Sequence, residues 1–155
     1  MKNKFVAFSA EITAFKPYEL NGTGQTDNYL KAVTDIVGQA VLNELLAAYD
    51  KLQGITVPEE RIERLRGEIF GDEKLGPIAR NILKLWYSGI WYELPVEWTD
   101  AYGALDNNVT HVIKPESYTE GLLWLAIGAN PPGAKAPGYG SWHEPPNIPP
   151  VPGMP

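Results

Sequence analysis

His111 and His143 are the chain's two imidazoles, and they fall in separate stretches that read as loops. Cysteine is absent, which removes disulfides, thiolate metal sites and thiol nucleophiles. Two imidazoles without carboxylates at ligand spacing do not compose a metal centre. Ser141 stands two residues before His143, so a serine–histidine–aspartate set can be written down. Yet no serine sits in the G-x-S-x-G turn that presents such a nucleophile. Gly22-Thr23-Gly24 lacks the third glycine of a dinucleotide loop and follows no strand pattern. Glu116 and Glu120 lie one helical turn apart, on a face that reads as solvated, whereas glycoside hydrolysis needs two carboxyls opposed across a cleft. A self-contained small enzyme is therefore the weakest reading of these residues.

The aromatic residues are in excess, and they are concentrated in the second half: Trp86, Tyr87, Trp91, Tyr92, Trp98, Trp124, Tyr139 and Trp142. Trp86 and Trp124 stand among aliphatics at helical spacing and are expected in the core, where large rings bury much area. Tyr139 and Trp142 have a different setting, the stretch NPPGAKAPGYGSWHEPPNIPPVPGMP over residues 130–155. Nine of the 14 prolines fall there, with Lys135 and Glu144 as its charges. Proline lacks the N–H and clashes with the preceding turn, so this backbone makes neither a helix interior nor a central strand. A proline-rich strip binds at low ordering cost, and aromatics are the usual anchors of interfaces. The expectation is a clamp on the chain's own helices or on a partner protein. Aromatic platforms also stack on sugars, so a stand-alone carbohydrate-binding module is the alternative.

These residues require a body to hold them, and the body reads as all-α. Phe5, Phe8, Ile12 and Phe15 recur at helical spacing before Pro17. Residues 17–25 read as a loop, with Asn21, Gly22 and Gly24 as breakers. A long helix is expected over 27–53, capped by Asp27, stopped by Gly54 and bent at Gly38, with Leu30, Val33, Val37, Val41, Leu45, Ala48 and Leu52 as its stripe. A third helix starts at Pro58, with Ile62, Leu65 and Ile69 inward and Glu59, Glu60, Arg61, Glu63, Arg64 and Arg66 on a solvated face. A fourth begins near Pro77 and stops at Gly89, and a fifth runs from Pro115 to Gly128. Residues 90–113 read as irregular, with a short extended piece at 109–113. The result is a compact body of about five helices over 1–128, followed by an extended Pro/Gly-rich tail over 129–155.

At 155 residues the chain is about one domain, long enough to bury a core without staples. A net charge of −6 and a pI near 4.9 disfavour nucleic acid or an anionic membrane surface as the main partner. No apolar run approaches the roughly 20 residues that span a bilayer. The opening residues have a periodic rather than continuous apolar pattern, interrupted by Glu11, and show no twin-arginine pair.

Three segments resemble the small subunits of membrane-bound, FAD-dependent sugar and polyol dehydrogenases (the sorbitol, fructose and glucose dehydrogenase complexes). F-V-A-F-S-A-E-I-T-A-F, residues 5–15, resembles their F-x-x-L-S-x-x-L-T-G-F start, with Ala14 where the family often has glycine. I-L-K-L-W-Y-S-G-I-W-Y, residues 82–92, resembles the central L-x-x-x-W-Y-x-G. The longest match, S-Y-T-E-G-L-L-W-L-A-I-G-A-N-P-P-G-A-K-A-P-G-Y-G-S-W-H-E-P-P over residues 117–146, is similar to the closing tyrosine, tryptophan and Pro-Gly-Gly-Trp-Pro-Pro signature. The resemblance implies a non-catalytic, chaperone-like subunit without a cofactor of its own. Its implied partner is a glucose-methanol-choline-type flavoprotein that carries FAD and is stabilised, matured and exported with it; a multihaem cytochrome belongs to such complexes as well. No catalytic residue carries over. The partner-contacting set expected here is Trp124, Pro131, Pro132, Tyr139, Trp142, Pro145 and Pro146. Family members reach the periplasm through a twin-arginine leader and associate with the membrane through their partners, whereas residues 1–15, taken alone, predict a cytoplasmic chain.

Overall fold

The computed structural model describes residues 1–131, and the protein is all-α. Its helices are α1 (Lys2–Thr13), α2 (Pro17–Gly22), α3 (Thr26–Val37), α4 (Gln39–Lys51), α5 (Pro58–Arg64), α6 (Leu75–Ser88), α7 (Val96–Tyr102), α8 (Pro115–Thr119) and α9 (Leu122–Ala126). A 3₁₀ turn, Leu52–Gly54, closes α4, and α5 widens into a π-helical stretch, Leu65–Phe70. The short strands β1 (Ile90–Trp91) and β2 (His111–Val112) pair antiparallel, with Trp91 opposite His111.

The centre of the body is α6, which packs on α1, α3, α4 and α9. Its apolar spacing buries Leu75, Ile78, Ala79, Ile82, Leu85 and Trp86. Trp86 is 1% exposed, edge-on to Tyr29 of α3 at 4.9 Å between ring centroids, and Phe5 and Phe8 of α1 are fully buried in the same core. Full burial of side chains of this size is worth about 1.5–3 kcal/mol each, which is why the stripe decides how the helices lie.

Several boundaries differ from the sequence expectation, each for a local reason. The 17–25 stretch contains α2, because Pro17 opens it, the Glu19 carboxylate accepts the Lys16 N–H at 2.7 Å, and Leu20 is fully buried. The expected long helix is broken rather than bent. Gly38 takes φ 81°, ψ 154°, a conformation essentially restricted to glycine, and the stripe continues on two helices. Residues 90–113 hold α7 and are organised by Asn108. Its Oδ1 accepts from Trp91 Nε1 and the Leu94 N–H at 3.3 and 3.0 Å, and its Nδ2 donates to Thr99 at 3.3 Å. The expected fifth helix splits at Glu120 and Gly121 into α8 and α9.

The expected solvated face of α5 is corrected at two positions. Ile62 is 49% exposed, while Leu65 and Ile69 are buried. Arg61 turns inward instead: its Nε and Nη2 donate to the Glu11 carboxylate at 2.6 Å each, and its Nη1 donates to the Leu52 carbonyl at 2.7 Å. Tyr49 donates to the same carboxylate at 2.8 Å. Burial pushes the Glu11 carboxyl up, but the hydrogen bonds from Arg61 and Tyr49 and the guanidinium charge outweigh it, so Glu11 lies below its ordinary value. The three residues fasten α1, α4 and α5 together.

A carboxyl group depressed in the folded state contributes stability above its unfolded value, about 4.3 for glutamate, and loses it as pH falls through the folded value. Unfolding in urea should therefore show wild type ahead of Glu11→Gln at neutral pH, with the gap closing as the medium is acidified below the ordinary glutamate range; a gap independent of pH would contradict the bridge. A second expectation concerns Ala14, the non-glycine residue with positive φ (61°) among the described residues, at the end of α1. Left-handed backbone at alanine is strained by about 1 kcal/mol, so Ala14→Gly should raise the melting temperature. A lower melting temperature would show that the strain is not there.

Candidate partner-binding site at the root of the tail

The segment that launches the tail is held by a joint between distant parts of the chain. Gly89 ends α6 in left-handed backbone at φ 73°, and a Cβ on it would stand 2.4 Å from the Ser117 carbonyl oxygen. Glycine is thus required twice at this position, for conformation and for space. A Cβ on Gly121 would meet the Tyr87 carbonyl oxygen at 2.6 Å, so the chain between α8 and α9 lies directly against the end of α6. A buried polar contact locks the joint: Gln25 Oε1 accepts from Ser117 Oγ and from Asn28 Nδ2, each at 3.0 Å. Beside it, burial pushes the Tyr29 hydroxyl up to about 12, with Ser117 offsetting part of the effect and the Glu120 charge adding to it. That hydroxyl has no well-formed hydrogen bond, so Ser117 stands near it without saturating it.

From this joint the chain presents an apolar end. Leu122 is fully buried against the body, while Leu123 and Leu125 of α9 and the following Ile127 are 39%, 58% and 43% exposed. Trp124 is half-buried, its ring edge-on to Tyr118 at 5.3 Å and its Nε1 donating to the Tyr118 carbonyl at 2.7 Å. The Ala129 N–H returns to the Trp124 carbonyl at 2.9 Å, and Pro131 is buried. A groove of about 260 Å³ runs between α2 and α9, with Trp124, Leu125 and Pro131 along one wall and Glu19, Gly22 and Thr23 along the other.

Of the expected partner-contacting residues, Trp124 and Pro131 therefore share one groove. Pro132, Tyr139, Trp142, Pro145 and Pro146 lie outside the described residues, as do Ser141 and His143. Trp124 is not the core residue that its aliphatic neighbours predict, because the break at Gly121 rotates α9 so that Leu122 takes the inward position. His111 lies on β2, where its Nδ1 is 2.7 Å from the Val109 carbonyl. Glu116 is exposed on α8. Among the described residues no group of three or more histidine, cysteine or acidic side chains is placed to hold a metal ion, and no helix is long and apolar enough to cross a membrane. The Gln25–Ser117 contact and the Glu11–Arg61 bridge have no signature in the sequence, since each joins residues far apart through side chains that read as surface. Only Gly89, legible as the stop of α6, hints at the joint.

No family model, curated protein or solved structure matches the chain.

The two tryptophans should separate in a stability measurement. Trp86→Ala should cost about 3–5 kcal/mol, as for other large core side chains, whereas Trp124→Ala should cost about 1 kcal/mol. Urea unfolding of both variants checks this, and equal losses would place Trp124 in the core after all.

Proposed function

We propose that this chain is a non-catalytic small subunit that stabilises and matures the flavoprotein catalytic subunit of an FAD-dependent sugar or polyol dehydrogenase complex. The observation that carries the reading is the end of the body. A rigid joint at Gly89, Ser117 and Gly121 presents three outward aliphatic side chains and a half-buried tryptophan at the point where a proline- and aromatic-rich segment begins. A monomer gains nothing from fixing apolar groups in water, whereas a contact surface does. The resemblance supplies the identity of the partner: a glucose-methanol-choline-type flavoprotein that holds the FAD, with a multihaem cytochrome in the same assembly. In this reading residues 131–155 dock on the flavoprotein, Tyr139 and Trp142 are the anchors, and Trp124 with Pro131, Pro132, Pro145 and Pro146 completes the contact.

A second reading, a stand-alone carbohydrate-binding module, is favoured by one feature. The Trp124 groove combines an aromatic edge with Glu19, Thr23 and Asn130, and such mixed walls suit a sugar's apolar faces and hydroxyls. Titration of the isolated chain with simple sugars, followed by Trp124 fluorescence against a Trp124→Ala control, separates this reading from the first.

The tail is tested by co-expressing a Tyr139→Ala, Trp142→Ala double variant with the flavoprotein and recording its own melting temperature. Interface aromatics of this kind cost about 2 kcal/mol or more when removed, so the yield of active complex should fall while the variant melts normally. A normal melt with a full yield of active complex would overturn the docking role of these two rings. An early melt would assign the tail to the chain's own fold.

A further inference from the structure

A second groove, of about 300 Å³, lies between α3 and the segment that runs through β2 into α8. Ile36 and Ile113 give it an apolar floor, and its polar lining is Asn28, Lys31, Asp35, Asn107, His111 and Lys114. Lys31 and Asp35 form an ion pair one turn apart on α3 and offset each other. The Lys114 ammonium has no hydrogen bond or ion pair among the described residues. The ring of His111 has an assigned direction. Its Nδ1 is 2.7 Å from the Val109 carbonyl; a carbonyl only accepts, so Nδ1 carries the hydrogen and Nε2 is the ring nitrogen left over. The Asn107 side chain is likewise without a partner. In a chain of net charge −6, one cleft thus collects an unpaired ammonium, an imidazole that becomes a double donor on protonation, and an unused amide. The single carboxylate present is already matched by its own lysine.

We propose that this groove binds a small oxyanion, the phosphate or sulfate-like dianion of a metabolite whose apolar part rests on Ile36 and Ile113. The chemistry follows from the donor count. Lys114 supplies a point charge, Asn107 an amide N–H, and His111 an Nε2–H when protonated; hydrogen bonds from charged donors to an anion are the strong ones. The volume admits a dianion with several carbons attached. The groove is lined by none of the residues of the Trp124 site, so the proposal stands independently of the subunit reading.

Sulfate is the suitable probe, because it is a small dianion of fixed charge. The full chain is titrated with sodium sulfate against sodium chloride at matched ionic strength, and ¹⁵N and ¹³C shifts are followed. The expected result is a saturable change at Asn107, His111 and Lys114. Lys114→Gln should weaken binding about tenfold, the loss of one charge-assisted hydrogen bond. His111→Gln should also weaken binding, because it removes the imidazole from the groove lining. His111 is half-buried, Lys114 is exposed, and the melting temperatures of both variants check that the fold survives. Shifts that grow linearly without saturation would overturn the proposal. So would equal shifts at Lys51 and Arg66, cations that also lack partners but line no part of this groove, since that pattern is general screening.

Discussion

The close approach of two backbones at the end of α6 is the constraint on which the second half of the molecule depends. With Gly89 at φ 73° and no room for a Cβ beside Ser117, the chain that follows must return across α6 instead of leaving it. The pairing of Ile90 with Val112 and the bond from the Ile113 N–H to the Gly89 carbonyl complete that return. The core reinforces it from below, because Trp86 and Tyr29 fill the space immediately under the joint. The placement of α8 and α9 and the groove at Trp124 therefore depend on this contact between main chains, and a single methyl group on Gly89 would disturb both.

Two fastenings in the structure differ in kind. In one, charge does the work: Glu11, Arg61 and Tyr49 join three helices through hydrogen bonds at 2.6–2.8 Å, in a partly exposed site that responds to pH. In the other, at the end of α6, the fastening is made of glycines and the buried, uncharged side chains of Gln25 and Ser117.

Much of the fold is legible in the sequence because apolar spacing is a strong signal. The stripe of Leu30, Val33, Val37, Val41, Leu45, Ala48 and Leu52 keeps one face inward even though Gly38 breaks the helix that carries it. What the pattern cannot supply is the direction of a side chain that satisfies both water and a partner. Arg61 reads as one more charge on a solvated face, and only the position of Glu11, 50 residues earlier, turns it inward. Breakers also mislead over short stretches: Asn21 and Gly22 look like a loop, yet Pro17 and Glu19 are enough to start a helix of one and a half turns. The candidate site is legible in part. The tail announces itself by composition, and Trp124 by its ring, but the split at Gly121 that leaves the ring half-buried depends on the approach of Tyr87 and has no local signature. The subunit reading rests on an anchor-bearing tail, an apolar root and a resemblance over three segments in the same order, none of which depends on a catalytic residue in this chain.

The most direct measurement is affinity capture of the full chain from its native cells, followed by an absorption spectrum and an acceptor-dye assay of the captured fraction. The account predicts a larger partner chain with about one FAD per complex, a flavin spectrum in place of a colourless fraction, and dye reduction that starts on addition of a sugar or polyol. A chain recovered alone, without flavin and without sugar-dependent dye reduction, from cells that contain such a dehydrogenase would contradict it.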